Sequence, residues 1–146
     1  MFSRKKAEGH YAAAKLVDVA FFEGFTTDEL AKVADLADEV QAEAGAELMD
    51  QGRPGQECYV ILDGTANVFF SGEHIATLEA GSMVGEMALI DHRPRSATVV
   101  AETPMRLLAF DTKAFRRLLD SLPKASQRVM SLLNARAQEN KDRREG

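Results

Sequence analysis

The sequence predicts an α+β domain in which a β-sandwich or β-barrel is flanked by helices. Short apolar runs separated by glycine turns fill residues 39–111, which is typical of small antiparallel β-structures rather than parallel sheets. Stretches rich in helix-forming residues lie before and after this region. The chain has 146 residues and a mass of 16.0 kDa, which fits one domain with a single core.

The first 38 residues are expected to form helices. Residues 1–20 contain many helix formers, and an aromatic break with a glycine follows at Phe21–Phe25. Thr26 and Glu29 have the spacing of a capping box, so a second helix should begin there and end near Asp38. The predicted apolar stripe of the first helix consists of Tyr11, Ala14, Leu16, Val17 and Ala20.

The β-region is predicted from alternating or continuous apolar runs bounded by turn residues. The strands expected with the clearest boundaries are Cys58–Leu62, Thr65–Phe70, His74–Leu78 and Met105–Phe110.

Two helices are expected after the last strand. Asp111 or Thr112 should cap the first, and Pro123 should end it and begin the second, which runs to about Glu139. Residues 141–146 form a charged tail.

Composition excludes several classes of function. The net charge is −5, and basic residues cluster only at Arg4–Lys6 and in the tail, which argues against a nucleic-acid-binding face. No apolar run is long enough to span a bilayer and no secretory signal is visible, so a cytoplasmic location is expected. Cys58 is the only cysteine, which rules out an internal disulfide. The three widely spaced histidines do not indicate a metal site.

An anion site is predicted between residues 81 and 101. Gly85 permits close backbone approach, and the short helical turn that follows offers free amides and a dipole that favour an anion. Arg95, between Pro94 and Ser96, adds a permanently charged fork suited to phosphate oxygens. The carboxylate of Glu86 beside this site would suit a ligand that also donates a hydroxyl, as a sugar phosphate does.

The same residues resemble a known family. The runs Gly85-Glu86-x-Ala88-Leu89 and Pro94-Arg95-Ser96-Ala97-Thr98-Val99 are similar to the phosphate-binding cassette of cyclic nucleotide-binding domains. These are the modules of protein kinase A regulatory subunits, the catabolite activator protein and cyclic-nucleotide-gated channels. The resemblance covers about residues 21–136 and implies a jelly-roll-like β-roll with hinge and lid helices.

The resemblance implies one domain over residues 1–146, with N-terminal helices at 1–38, a β-roll at 39–111 that contains the cassette at 85–99, and C-terminal helices at 112–140. It implies that Arg95, Ser96 and the amide of Ala97 hold a phosphate while Glu86 holds the ribose 2′-OH. Val84 stands where most members have phenylalanine. The ligand-binding residues expected on this basis are Val68, Ile75, Leu78, Val84, Gly85, Glu86, Met87, Ala88, Arg95, Ser96, Ala97, Met130 and Leu133.

Some of these residues have a second interpretation. Val68, Ile75 and Leu78 are apolar enough to be core residues, although a ligand wall can be the open side of a core. Met130 and Leu133, with Asn134, could cover the base or simply pack the last helix. Arg128 or Arg136 could cap the base instead.

The function implied is that of a stand-alone, non-enzymatic sensor for cyclic AMP or possibly cyclic GMP, with no cofactor, signalling through lid helices to a protein partner. Ser96 leaves both cyclic AMP and cyclic GMP as expected ligands, since the resemblance implies that a hydroxyl at this position accompanies tolerance of cyclic GMP. No room for a helix-turn-helix, kinase or channel pore is expected after the lid helix. The alternatives are a ligand-free docking domain of the same fold and a cyclic nucleotide hydrolase, for which no metal cluster or nucleophile–base pair is visible.

Overall fold

The computed structural model describes residues 2–7 and 9–145, together with their side chains other than those of residues 9, 10, 136, 137 and 139–145. A 3-10 turn at Ala20–Phe22 separates the first two helices. The strands are β1 Phe2–Lys6, β2 Asp38–Ala42, β3 Glu47–Met49, β4 Glu57–Asp63, β5 Ala66–Phe70, β6 Glu73–Leu78, β7 Met83–Val84, β8 Thr98–Ala101 and β9 Met105–Asp111. The helices are α1 Gly9–Leu16, α2 Thr27–Asp35, α3 Glu86–Ile90, α4 Thr112–Ser121 and α5 Pro123–Glu145.

The strands form two antiparallel sheets, which confirms the predicted α+β class. One sheet has the order β1-β2-β9-β4-β7 and the other the order β3-β8-β5-β6. Neither sheet closes into a barrel.

Strand β4 separates two apolar cores. Cys58, Val60 and Leu62 belong to the core beneath the helices, whereas Ile61 and the partly buried Tyr59 face the core between the sheets. Side chains on a strand alternate between its faces, so a strand buried on both faces has a nearly continuous apolar sequence. This explains the continuous apolar run Cys58–Leu62 in the sequence.

The helices pack on the outer face of the five-stranded sheet. Phe22, Phe110, Phe115 and Leu118 are among the buried residues of this helical core. The predicted capping box is present: the amide of Glu29 donates to the Thr26 hydroxyl at 3.2 Å, and the Thr26 amide donates to the Glu29 carboxylate at 2.8 Å. At the start of α4 the cap is Asp111, whose carboxylate accepts from the Ala114 amide at 2.7 Å.

The N-terminal segment differs from the prediction. Residues 2–6, expected to be helical, form β1, which pairs with β2 along its whole length. In the following helix α1 the buried residues are Ala12 and Leu16, whereas Val17 is 62% exposed. The predicted stripe was therefore partly wrong, because packing against α2 and β4 sets which face of α1 is buried.

Candidate functional site

The cassette, residues 85–99, links β7 to β8 through a short helix and a loop. Gly85 adopts a left-handed conformation with φ of 84°, which glycine reaches without steric cost, and α3 begins at the next residue. Ala88 and Leu89 are buried and anchor α3 to the body. The loop then returns along residues 50–53, where the Arg95 amide donates to the carbonyl oxygen of Arg53 at 2.8 Å.

Arg95 is buried inside this turn, with only 9% of its surface exposed. Its Nη1 donates to the carbonyl oxygen of Gly85 at 3.1 Å, and its Nη2 donates to the carbonyl oxygen of Glu57. These bonds fix the direction of the guanidinium and leave its other N–H groups free to bind a ligand.

The guanidinium of Arg95 forms no ion pair with a described carboxylate, although its charge acts on the nearby Glu86. Among the described residues, no carboxylate lies within ion-pair distance of its guanidinium; its two bonded partners are neutral carbonyls. Burying a charge without a paired opposite charge is costly. The arrangement therefore favours an anion that enters from outside.

Two glycines make room for the guanidinium. A Cβ on Gly85 would overlap Nη1 of Arg95 and lie 3.0 Å from Cε of Met49. A Cβ on Gly55 would overlap the Cβ of Ala88 and come within 2.8 Å of Cζ of Arg95. Any larger residue at either position would displace Arg95 from its present place.

Glu86 is the acidic residue of the site. Burial raises the pKa of its carboxyl group, while its own backbone amide and the charge of Arg95 act in the opposite direction. The carboxylate can accept a hydrogen bond from a ligand hydroxyl beside the arginine.

These groups surround a cavity of about 260 Å³, here called the cassette cavity. It brings together nine of the thirteen predicted ligand-binding residues. Its lining comprises Met49, Val68, Met83, Val84, Gly85, Glu86, Met87, Ala88, Arg93, Pro94, Arg95, Ser96, Ala97 and Val99.

A second and larger space of about 580 Å³, here called the α5 cavity, is also lined by Glu86. It shares Glu86 and Met83 with the cassette cavity, so the two spaces adjoin at these side chains. Leu78 is the only predicted apolar wall residue in it. Its lining comprises Val19, Ala20, Phe21, Leu78, Gly81, Ser82, Met83, Glu86, Arg128, Ser131 and Leu132.

Three predicted residues lie outside both cavities. Ile75 is on the edge strand β6 and is 57% exposed, and Met130 is also 57% exposed. Leu133 packs against the helical core and lines a separate pocket with Leu89 and Phe115. The side chain of Arg136, one of two arginines considered as a base cap, lies outside the described residues.

The structure adds residues that the sequence did not single out. Met49 and Met83 line the cassette cavity, and Leu132 and Ser131 of α5 line the α5 cavity. Arg128, the other arginine considered as a base cap, also lines the α5 cavity and donates to the carbonyl oxygens of Ala20, at 3.4 Å, and Glu23. The burial of Ala125 and Val129 fixes the rotation of α5, and the helical period then places Leu132 rather than Met130 toward the cavity.

Other chemistry is sparse in the described part of the chain. Burial raises the pKa of the Cys58 thiol, which lies in the helical core, so the thiolate that would react is disfavoured. No three His, Cys, Asp or Glu side chains within the described ranges are arranged to hold a metal ion. In the same ranges, no helix is both long enough and apolar enough to cross a bilayer.

The fold and the site define an α+β domain in which two antiparallel sheets, flanked by helices, present a buried arginine in a glycine-lined turn to a cavity. The sequence profile of the cyclic nucleotide-binding domain matches residues 39–121, more than half of the chain. The chain therefore belongs to the cyclic nucleotide-binding domain family.

Known proteins agree with this assignment. The chain is 34% identical over 140 residues to a cAMP-dependent protein kinase regulatory subunit of Mucor circinelloides, covering 90% of this chain and 32% of that protein. A cyclic nucleotide-binding domain from Methylobacillus flagellatus superposes with a TM-score of 0.77 at 28% identity, covering 97% of this chain and 86% of that one. The regulatory domain of Toxoplasma gondii protein kinase A, crystallised with cAMP, gives a TM-score of 0.73 at 29% identity, with 89% and 49% covered.

The chain spans about a third or less of the curated relatives it matches, since it covers 26% of the regulatory subunit from Aspergillus niger.

Proposed function

We propose that this chain binds a 3′,5′-cyclic nucleotide, most readily cyclic AMP, and acts as a sensor through movement of its C-terminal helices. The observation that carries the proposal is the buried guanidinium of Arg95, which faces a cavity and has no acidic partner among the described residues.

The cyclic phosphate would occupy the cassette cavity. Free N–H groups of Arg95 would donate to its oxygens, with the hydroxyl of Ser96, the amide of Ala97 and the first amides of α3 around it. Because Arg95 is already oriented by two carbonyl oxygens, little conformational entropy is lost when the phosphate binds.

Glu86 would hold the ribose. A 2′-OH that donates to its carboxylate favours the ionised form, which burial disfavours in the free protein. The ligand therefore offsets a cost that the empty site carries. An anionic ligand without this hydroxyl would leave Glu86 uncompensated beside another negative charge.

The purine would extend toward the α5 cavity, which adjoins the cassette cavity at Glu86 and Met83. Leu78 from the sheet and Leu132 from α5 would then lie on either side of the base. Because α5 contacts the base only in its closed position, bound ligand would shift the population toward that position. Val68 and Val84 would form the wall next to the sugar.

The relatives support the choice of ligand. Several of them are named as cAMP-dependent regulatory subunits, and the Toxoplasma domain was crystallised with cAMP. Ser96 supplies a hydroxyl at the cassette, so cyclic GMP is retained as a second ligand. A protein partner in the cytoplasm would recognise the moved helices and so transmit the signal. The site would bind the nucleotide without catalysing a reaction.

Thermal unfolding with and without ligand tests the proposal. Cyclic AMP should raise the melting temperature in a concentration-dependent way, whereas adenosine and inorganic phosphate should not, since each satisfies only part of the site. No shift at millimolar cyclic AMP or cyclic GMP would contradict the proposal and favour a ligand-free docking domain. Appearance of AMP during the incubation, followed by chromatography, would instead indicate hydrolysis.

A further inference from the structure

Strand β1 is attached to the body mainly by polar contacts. Its residues are all exposed, and even Phe2 keeps 48% of its surface in solvent. Besides its backbone hydrogen bonds with β2, the strand forms ion pairs between its basic side chains and carboxylates of the sheet. Nζ of Lys5 lies 3.3 Å from Oε2 of Glu39, whose side chain is fully buried. Apolar burial contributes little to this strand, so its docking depends on these polar contacts.

Of these polar contacts, the one made by Arg4 extends farthest across the sheet. Its guanidinium reaches past β2 and β9 to β4, where Nη1 lies 2.8 Å from Oε2 of Glu57 and Nη2 pairs with Oε1. A parallel pair of bonds between a guanidinium and a carboxylate fixes both position and orientation. The Tyr59 hydroxyl adds a bond of 3.4 Å to the same Oε1.

Glu57 also holds the arginine of the anion site. Its carbonyl oxygen accepts the hydrogen bond from Nη2 of Arg95. Glu57 thus contacts both segments: its carboxylate pairs with Arg4 of β1, and its carbonyl oxygen accepts from Arg95 of the cassette. Glu57 is the first residue of β4, and Gly55, two positions earlier, has no side chain and leaves room for Arg95. The backbone of Glu57 also pairs with Asp111 of β9, and the Arg4 fork adds a side-chain restraint on the same residue, so it affects where this carbonyl points.

We propose that Arg4 is a positioning residue for the anion site: through Glu57 it orients Arg95, so docking of β1 and binding of a cyclic nucleotide strengthen each other. This inference rests on the proposed function. It makes the N-terminal strand a part of the ligand response, although β1 lines neither the cassette cavity nor the α5 cavity.

Coupling of this kind is reciprocal. If docking of β1 on the sheet raises nucleotide affinity by some factor, bound nucleotide must raise the equilibrium constant for docking of β1 by the same factor. Because Arg4 is 45% exposed, an effect near the low end of usual couplings is expected, about fivefold. Nucleotide should therefore slow hydrogen exchange of the β1 amides, and Arg4→Gln should weaken binding.

The experiment measures cyclic AMP affinity by calorimetry for the wild type, Arg4→Gln, Glu57→Gln and the double variant, with hydrogen exchange followed at residues 2–6. Lys6→Gln is the matched control, because it removes an exposed cation from the same strand. The inference expects about fivefold weaker binding for Arg4→Gln and for Glu57→Gln, no further loss in the double variant, and no change for Lys6→Gln.

Arg4→Gln binding within about twofold of the wild type, or losses that simply add in the double variant, would overturn the inference. Should Arg4→Gln fail to fold, the wild type alone decides: β1 exchange unchanged by saturating nucleotide contradicts the coupling. If the wild type binds no cyclic nucleotide at all, the proposed function fails. The coupling between Arg95 and β1 is then measured without ligand, by comparing hydrogen exchange of the β1 amides in Arg95→Gln and Arg53→Gln. Faster exchange in Arg95→Gln is expected, and equal exchange in the two variants would reject the coupling.

Discussion

The guanidinium of Arg95 is bonded to the residue that caps the start of the short cassette helix, because its Nη1 donates to the carbonyl oxygen of Gly85 at 3.1 Å. The absence of a side chain on Gly85 is what allows this approach. The anion site is therefore organised before any ligand arrives, and its geometry depends on this glycine together with Gly55.

Gly85→Ala should therefore damage binding more than a comparable glycine substitution elsewhere. Gly52 is the matched control, because it has a similar φ of 85° and open space where a Cβ would lie. Both variants should lose about 1 kcal/mol of stability from the left-handed backbone. Only Gly85→Ala should also lose most of its cyclic AMP affinity, by calorimetry. Equal affinities for the two variants would contradict the account.

Glu86→Gln is expected to have opposite effects on stability and binding. Because burial raises the pKa of Glu86, the wild type loses stability as pH rises from the ordinary carboxyl value through the raised one. The ligand-free variant should be more stable at neutral pH, and the difference should vanish in acid. Its affinity should fall about tenfold, since a hydrogen bond to a charged acceptor is lost. Urea unfolding across pH and calorimetry measure the two effects.

Lower stability of Glu86→Gln at neutral pH would contradict this explanation. Glu43→Gln, at an exposed position, serves as the control for a general effect of charge removal.

The ion pair between Lys124 and Glu29 ties α5 to the start of α2 at 2.7 Å. The bond from Lys124, followed by that from the Thr26 amide, lowers the pKa of Glu29 to about 2. A lowered carboxyl pKa gives stability that is present above the ordinary value and lost as pH falls toward 2. Glu29→Gln keeps an acceptor for the cap. Its deficit relative to the wild type should therefore be largest above about pH 4.5 and shrink in acid, in urea titrations. A deficit independent of pH would disprove the assignment.

The side of α5 that meets the base can be tested with two alanine variants. Leu132 lines the α5 cavity, whereas Met130 is 57% exposed. Leu132→Ala should weaken cyclic AMP binding by about 1 kcal/mol, roughly fivefold, from lost apolar contact. Met130→Ala should bind like the wild type. A larger loss for Met130→Ala in a fluorescence titration would show that α5 turns on ligand binding.

Features fixed by local spacing could be predicted from the sequence. The Thr26–Glu29 capping box and the strand of Cys58–Leu62 depend on neighbouring residues, and the structure contains both. The cassette residues also lie close in sequence, and Gly85, Glu86 and Arg95 come together around one cavity.

Features that depend on distant contacts could not be predicted. Strand β1 exists because it pairs with β2 and because Arg4 reaches Glu57, 53 positions along the chain. Apolar residues at 129, 130, 132 and 133 left the buried face of α5 ambiguous in the sequence. Packing at Ala125 and Val129 fixes its rotation and brings Leu132 rather than Met130 to the cavity.

The most direct measurement is calorimetric titration of cyclic AMP into the wild type and Arg95→Gln, with Arg53→Gln as the control arginine, whose side chain is 78% exposed. The account predicts binding by the wild type, the same affinity for Arg53→Gln, and a loss of at least about tenfold for Arg95→Gln, since a charge-assisted contact is worth about 1.5–3 kcal/mol. Unchanged affinity in Arg95→Gln would contradict the claim that this buried guanidinium binds the cyclic phosphate.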